Sequence, residues 1–487
     1  VPQWLNQLLP ILVLLAAIGL VLMRLPRVDL GHSEAFRRRR FLNWFPLGLT
    51  YAFLYFGRYN LNVATTAMGD RFSNADFGSM FAWGAGVYGV AFFLNGPLTD
   101  ILGGRATILL SAAGAAVSNA LMGLLVWGVL AHGWTPPGGL VGALTVLFAV
   151  NMYFQSFGAV SIVKVNASWF HVRERGVQGG VFGILISLGL YFAFDWSRLI
   201  VQNVPVWWAF GVPAALLAVF FFVDLALIRN APSDTGHADF DTADASSGAA
   251  ADKGGSWGVL GRMMRNPVFI TILVIEFCSG FLRNAVMQWY PKYGKAVGID
   301  GSFVVANWGM LSCVAGILGG MFAGIISDRV FDSRRGPVSA VLYGGLVLGT
   351  GATFFLLGHP LLGWVAVFMS VCFIGVHGML SGTATADFGG KKNAGVATGI
   401  IDGAVYAGTT LQSVLLGSVL PSGALAKDPH AWSSWPWAML PLSVLGFVLA
   451  TRLWNAKPNA APAAAPAPVA LAGAASAPDA ASRRTGS

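Results

Sequence analysis

Apolar runs of helical length follow one another down this chain of 487 residues, each closed by a short polar turn. A hydrocarbon core about 30 Å thick takes about 20 residues of helix to cross. On that rule the pattern predicts spans over 42–66, 77–99, 106–131, 139–169, 177–198 and 206–228. It then predicts spans over 267–290, 303–326, 337–357, 361–386, 395–420 and 433–453. A further apolar run at 8–24 comes first, with no basic residue before it and no small-residue cleavage site after it. It reads as an extra transmembrane helix rather than the core of a secretory signal.

Two stretches break the rhythm. Residues 230–258 are small, polar and acidic, the composition of a flexible connection, and the Ala/Pro-rich tail is expected to be disordered. The chain therefore divides into an extra helix and basic linker (1–40), six helices (41–229), a linker (230–262), six helices (263–454) and a tail (455–487).

Composition supports the membrane class. Hydrophobic residues make up 55% of the chain, charged residues 10%, and the mean hydropathy is +0.66, beyond any ordinary water-soluble domain. The net charge of +9 is concentrated in loops. Setting the cluster Arg37–Arg40 in the cytoplasm brings most other loop arginines and lysines with it, which predicts a cytoplasmic C-terminus and a periplasmic N-terminus. Those charges suit anionic lipid headgroups, so the bilayer is the expected partner and nucleic acid is not. Cys278, Cys313 and Cys372 all fall inside spans and match no metal-site spacing. No nucleotide-binding loop, metalloprotease motif or nucleophile set stands in a credible context, so neither enzyme chemistry, nor a cofactor, nor an ATP-driven pump is expected.

The informative residues are cations at membrane depth. Arg58 sits in TYAFLYFGRYNLNVA and Arg283 in ITILVIEFCSGFLRNAVMQWY, at matching places in the two halves. An ionised group there costs about 2.5–3.5 kcal/mol even on translocon-insertion scales, so it marks a pathway or a binding site more often than packing. Tyr51, Tyr55, Arg58 and Asn62 step at i, i+4, i+7 and i+11 and form one polar stripe, which must face protein or water. A guanidinium fork matches two oxygens of a phosphoryl group, and phenols can donate to the rest. The plainer alternative is an arginine paired with a buried acid.

Candidates for such pairing are Glu276, seven residues before Arg283, and Asp402, one turn before Tyr406. Either could neutralise Arg283 in the empty site, or titrate and couple transport to protons. Lys164 and Ser168 share a face near the basic end of their span, where Lys164 could add a third cation or snorkel to the interface. His377, Ser381 and Thr385 step at i+4 and could line the pore or simply pack.

The halves also repeat a loop. NGPLTDILGGRAT, with Asp100 and Arg105, follows Arg58, and AGIISDRVFDSRRG, with Asp328 and Arg329, follows Arg283. This pairing resembles the gate-loop signature of the major facilitator superfamily, whose halves are parallel repeats around a midplane site. YAFLYFGRYNLN (51–62), WFHVRERG (169–176), FLRNAVMQWYPKY (281–293) and ADFGGKKNAGVATG (386–399) further resemble the organophosphate:phosphate antiporters. The resemblance spans roughly residues 42–453. It implies an all-α membrane protein of two six-helix halves related by pseudo-twofold symmetry, here with the extra N-terminal helix. It also implies alternating access, exchanging an organic phosphate for inorganic phosphate; a monomer is expected, and the Ala/Pro-rich tail suggests a bacterial chain and hence an inner membrane. In that family the arginines matching Arg58 and Arg283 hold the phosphoryl group, with tyrosines matching Tyr51, Tyr55 and Tyr406 around it. The chain departs from the pattern at Tyr59, Phe92, Ser168 and Gln288, where family members carry charged or titratable groups. Two rival functions are a proton-coupled symporter for a carboxylate or sugar acid and a transporter-like sugar-phosphate sensor.

Overall fold

The computed structural model describes residues 30–171, 174–240, 263–331, 335–384 and 394–455, with isolated positions among 12–23, and 242 and 261. The side chains of 175–180, 182, 325, 328, 329, 335, 381–384, 394–396 and 398 fall outside that description. Among the described residues the chain is helical with no strand.

The first half comprises α1 (Glu34–Ala67), α2 (Asn74–Leu102), α3 (Gly104–His132), α4 (Gly139–Trp169), α5 and α6 (Trp208–Leu227). Helix α5 runs through Arg175–Tyr191, a π-helical turn at Phe192–Trp196, and Ser197–Asn203. The second half comprises α7 (Pro267–Ala296), α8 (Trp308–Val330), α9 (Arg335–Leu356), α10 (Leu362–Ala384), α11 (Ala394–Val419) and α12 (Ser434–Arg452). These agree with the predicted spans within five residues, apart from three differences. Helix α1 begins eight residues before its predicted span because Ser33 accepts from Phe36 N–H and caps it there, so the Arg37–Arg40 cluster is helical. Helix α7 runs six residues past its predicted end. The 303–326 span splits into a short turn, Phe303–Ala306, and α8.

Other boundaries follow local chemistry. Ser73 and Asp76 form a reciprocal capping box at the start of α2. Asn266 accepts from Val268 and Phe269 N–H, with Pro267 in the first turn of α7. Gly133 closes α3 at φ 67°, a left-handed turn that returns Trp134 N–H to the Gly128 carbonyl.

Packing repeats between the halves. The pairs α3–α4, α2–α4 and α3–α6 in the first correspond to α9–α10, α8–α10 and α9–α12 in the second. The halves meet through α2 against α11 and α5 against α8, so α1 and α7 are left to carry side chains into the centre. Nine described helical stretches are long and apolar enough to cross a membrane, and the chain is a multi-pass membrane protein. Helix α1 is not among the nine, though it has 34 residues. Its buried Asn60, Asn62 and Arg58 lower its hydropathy and are covered by protein rather than lipid.

The 8–24 segment lies largely outside the described residues; where described it is helical, and Leu14 is buried in the main core with Ile18 against it. The start of the 230–262 segment is docked. Asp234 accepts from Asn230 and Ala231 N–H, and the Phe240 ring meets Phe36 edge-on at 5.6 Å. Most of that segment beyond residue 240, and the tail from residue 456, lie outside the described residues.

Candidate functional site

Arg58 is 1% exposed, and among the described residues its hydrogen-bond partners are neutral. Its Nε donates to Gln155 Oε1 at 2.9 Å, Nη1 to the Tyr406 hydroxyl at 2.8 Å, and Nη2 to the Tyr88 hydroxyl at 3.0 Å. The guanidinium carbon also lies 4.7 Å from the Tyr55 ring centroid and 4.4 Å from that of Tyr88. Among the described residues no carboxylate pairs with it. A buried charge is costly unless something opposite meets it. The phenols and the amide satisfy its hydrogen-bonding geometry and leave its charge uncancelled.

The acceptors are fixed in turn. Gln155 Nε2 donates to Asn151 Oδ1 at 3.1 Å, which aims the Gln155 oxygen at Arg58. Asn151 and Asn119 both donate to the Gly57 carbonyl, and Asn119 Oδ1 accepts from Asn60. This chain ties α1, α3 and α4 together behind the guanidinium. A connected buried network of this kind holds one geometry.

Arg283, on α7, makes no hydrogen bond or ion pair among the described residues, and its Nε is buried without a partner. The phenols of Tyr59, Tyr406 and Tyr55 and the carboxylate of Asp402 are within electrostatic reach. Tyr406 is therefore bonded to Arg58 and within electrostatic reach of Arg283. Beyond Arg58, away from the Arg37–Arg40 end, packing leaves a cavity of about 10 Å³ against Tyr59, Phe148, Asn284, Gln288 and Tyr406. That is room for one water at most.

The end of the bundle opposite Arg37–Arg40, here the far end, is held shut. Among the described residues, hydrogen bonds between the halves lie at the level of Arg58 or beyond it toward that end. Asn62 Nδ2 donates to the Gln288 carbonyl at 3.0 Å, Asn74 Nδ2 to the Pro421 carbonyl at 2.7 Å, and Lys295 to the Thr66 carbonyl. Arg198 donates to the Asp300 carbonyl at 2.7 Å. Asp195 accepts from Gly309 and Met310 N–H, both at 2.8 Å, and so caps the start of α8 from the other half. The π-helical turn changes the register of α5 at Asp195, a feature absent from any 3.6-residue pattern.

The other sequence candidates divide. Tyr51 and Tyr55 stay with Arg58, their rings 5.3 Å apart, and Asn62 joins the far-end clasp. Lys164 does not enter the site: its Nζ pairs with Asp100 at 2.7 Å, with both side chains well exposed. It lies nine residues past Gln155 on α4, about 14 Å further toward the basic end. Ser168 is half-buried one turn beyond it. Glu276 does not pair with Arg283; its Oε2 meets His377 Nδ1 at 2.9 Å. Two residues expected to act separately thus form one unit. Asp402 is half-buried near Arg283 and His377. Arg105 donates to the Leu225 carbonyl at 2.8 Å, fastening the α2–α3 turn to α6. Asp328 and Arg329 belong to α8 by backbone, but their side chains lie outside the described residues. Tyr88, Gln155 and Asn151 were missed as candidates. Asn151 and Gln155 do carry a signal, polar residues at i and i+4 inside an apolar span.

Comparison with known proteins agrees with this architecture. The profile of the Major Facilitator Superfamily matches residues 47–413. The chain is 24% identical over 455 residues to the glycerol-3-phosphate transporter of Bacillus subtilis, covering 88% of this chain and 95% of that protein. It is 25% identical over 393 residues to the membrane sensor protein UhpC of Salmonella typhimurium, covering 76% and 83%. In fold it resembles a bacterial homolog of the human lysosomal transporter Spinster, with a TM-score of 0.61, 12% identity, and coverage of 87% and 97%.

Proposed function

Because the chain belongs to the major facilitator superfamily, we propose that it is a secondary active transporter exchanging an organic phosphate for inorganic phosphate by alternating access. The carrying observation is the uncancelled charge of Arg58, buried among neutral partners, while Arg283 has no ion pair among the described residues. A phosphoryl dianion between them supplies the missing charge. It can take bidentate bonds from guanidinium groups and further ones from Tyr406, Tyr55 and Tyr51. The organic moiety is of the sugar-phosphate, glycerol-phosphate or phosphoglycerate class, in line with the relatives, and the exchange needs no cofactor.

The residues proposed to hold substrate are Arg58, Arg283, Tyr51, Tyr55 and Tyr406. Asp100 and Arg105, with Asp328 and Arg329, form the gate loops at the basic end. That end faces the cytoplasm of a bacterial inner membrane, the N-terminus is periplasmic, and one monomer suffices. Residues 41–229 and 263–454 are the two moving bodies. With the far end shut, exchange proceeds by loading from the basic end. Phosphate binding then favours a rearrangement of the halves, since a ligand shifts an equilibrium only through unequal affinity for its states.

The test is counterflow in liposomes. Protein reconstituted with internal inorganic phosphate should take up labelled glycerol 3-phosphate or hexose phosphate without an imposed pH gradient. Uptake that requires a pH gradient and ignores internal phosphate would replace exchange with proton symport. Saturable binding with no flux would favour a sensor, the reading that the similarity to UhpC brings.

A further inference from the structure

The pair Glu276–His377 is a further polar unit in the bundle interior, and phosphoryl binding leaves it unused. Glu276 on α7 is 0% exposed, while the His377 side chain on α10 is 28% exposed. Glu276 Oε2 meets His377 Nδ1 at 2.9 Å. A carboxylate only accepts, so the ring hydrogen sits on Nδ1 and the neutral ring presents Nε2 as an acceptor. Nε2 has no hydrogen bond among the described residues and is not among the buried orphan atoms, so it borders open space. The groups facing the ring are Glu276 and Arg283 from α7 and Asp402 from α11. Tyr343 on α9 lies behind Glu276, its hydroxyl donating to the Ile275 carbonyl at 2.6 Å.

The position along the helix matters as much as the chemistry. Glu276 precedes Arg283 by seven residues, about 10 Å toward the basic end. A phosphoryl group held by the arginines is therefore separated from His377 by the length of a small carbon skeleton. Inorganic phosphate is too short to touch both.

We propose that His377 is a specificity-determining residue that receives a hydroxyl of the organic phosphate, with Glu276 as its positioning residue. The favoured substrate is a phosphorylated polyol or sugar whose hydroxyl lies several bonds from the phosphorus. A hydroxyl both donates and accepts, so it suits the imidazole in either protonation state. A carboxylate in that place would confront Glu276 and Asp402, which disfavours phosphoglycerates within the proposed substrate class. This inference rests on the phosphoryl group sitting at Arg58 and Arg283.

The experiment uses the full chain in liposomes and compares inorganic phosphate self-exchange with its inhibition by glycerol 3-phosphate and by propyl phosphate, which lacks hydroxyls. In His377→Asn the amide can still reach Glu276, but the distal nitrogen is gone. Glycerol 3-phosphate should then inhibit about tenfold more weakly, as expected for one lost hydrogen bond. Self-exchange and propyl phosphate inhibition should stay within about twofold. Glu276→Gln should give a smaller loss in the same pattern, and His377→Gln, whose amide reaches the position of Nε2 and can accept from or donate to a hydroxyl, should restore part of the affinity. Equal losses for all three ligands, or none for any, would overturn the assignment. If the variants fail to fold, the wild type decides: equal inhibition by glycerol 3-phosphate and propyl phosphate refutes it. No phosphate self-exchange in the wild type would instead defeat the exchange reading. Calorimetric binding of the two organic ligands would then still decide the role of His377.

Discussion

Arg58 Nη1 donates to the Tyr406 hydroxyl at 2.8 Å, a bond that crosses from the first helix of one half to the fifth helix of the other. The phenol keeps its own hydrogen free to donate, so Tyr406 can hold Arg58 and still offer a bond to an anion. Under the proposed exchange, closure of the halves and recognition of charge would share one side chain.

Replacing Arg58 or Arg283 with Lys should lower phosphate exchange at least about 100-fold while leaving the protein folded. A lysine keeps the charge but cannot satisfy Gln155, Tyr88 and Tyr406 together, and it lacks the planar fork. Exchange in liposomes, with size-exclusion behaviour as the folding control, reads this directly. Wild-type rates in both variants would remove the arginines from the site.

Tyr406→Phe should weaken phosphate binding about 5- to 20-fold, the range expected for loss of one or two polar contacts to a charged group. The variant leaves Arg58 Nη1 without its acceptor and the anion without a donor. Competition of inorganic phosphate against a labelled substrate gives the ratio; an unchanged value would show that Tyr406 serves closure alone.

Asp195→Ala should loosen the far end. It strips the acceptor from the N–H groups of Gly309 and Met310, at the only place where α8 is capped from the opposite half among the described residues. Gly309→Ala should act the same way, because a Cβ there would stand 2.8 Å from Asp195 Oδ1. In both variants a single cysteine placed on the far-end face of α8 should react faster with a thiol reagent than in the wild type. Unchanged reactivity in both would mean that Asn62, Asn74 and Lys295 hold the closure without it.

Lys164→Gln should change phosphate affinity less than about twofold. Its pairing with Asp100 is solvent-exposed and worth about 1 kcal/mol at most, well away from the arginines. A tenfold loss in affinity, measured in the same competition assay, would return Lys164 to the pocket.

Much was written in the sequence. Apolar runs of about 20 residues set the helices, because a run of that length in a bilayer satisfies its own backbone groups as a helix. Arg58 and Arg283 identified themselves by cost, as cations where a cation is expensive. The repeat of NGPLTDILGGRAT and AGIISDRVFDSRRG announced two related halves. Periodicity put Tyr51, Tyr55 and Arg58 on one face of one helix, and the structure keeps them together.

What the sequence withheld was the identity of partners. The spacing of 3.6 residues says which residues of one helix share a face, and nothing about which neighbouring helix that face meets. Glu276 is closer in sequence to Arg283, yet it pairs with His377, 101 residues away, because α7 and α10 pack with those two side chains opposed. Lys164 looked available to the pocket until packing brought Asp100, in the last turn of α2, beside it. The neutrality of the described hydrogen-bond partners of Arg58 depends on α2, α4 and α11 converging on α1, which only their packing decides. A helix carries its own face in its sequence; the charge balance of a site belongs to the helices that meet there.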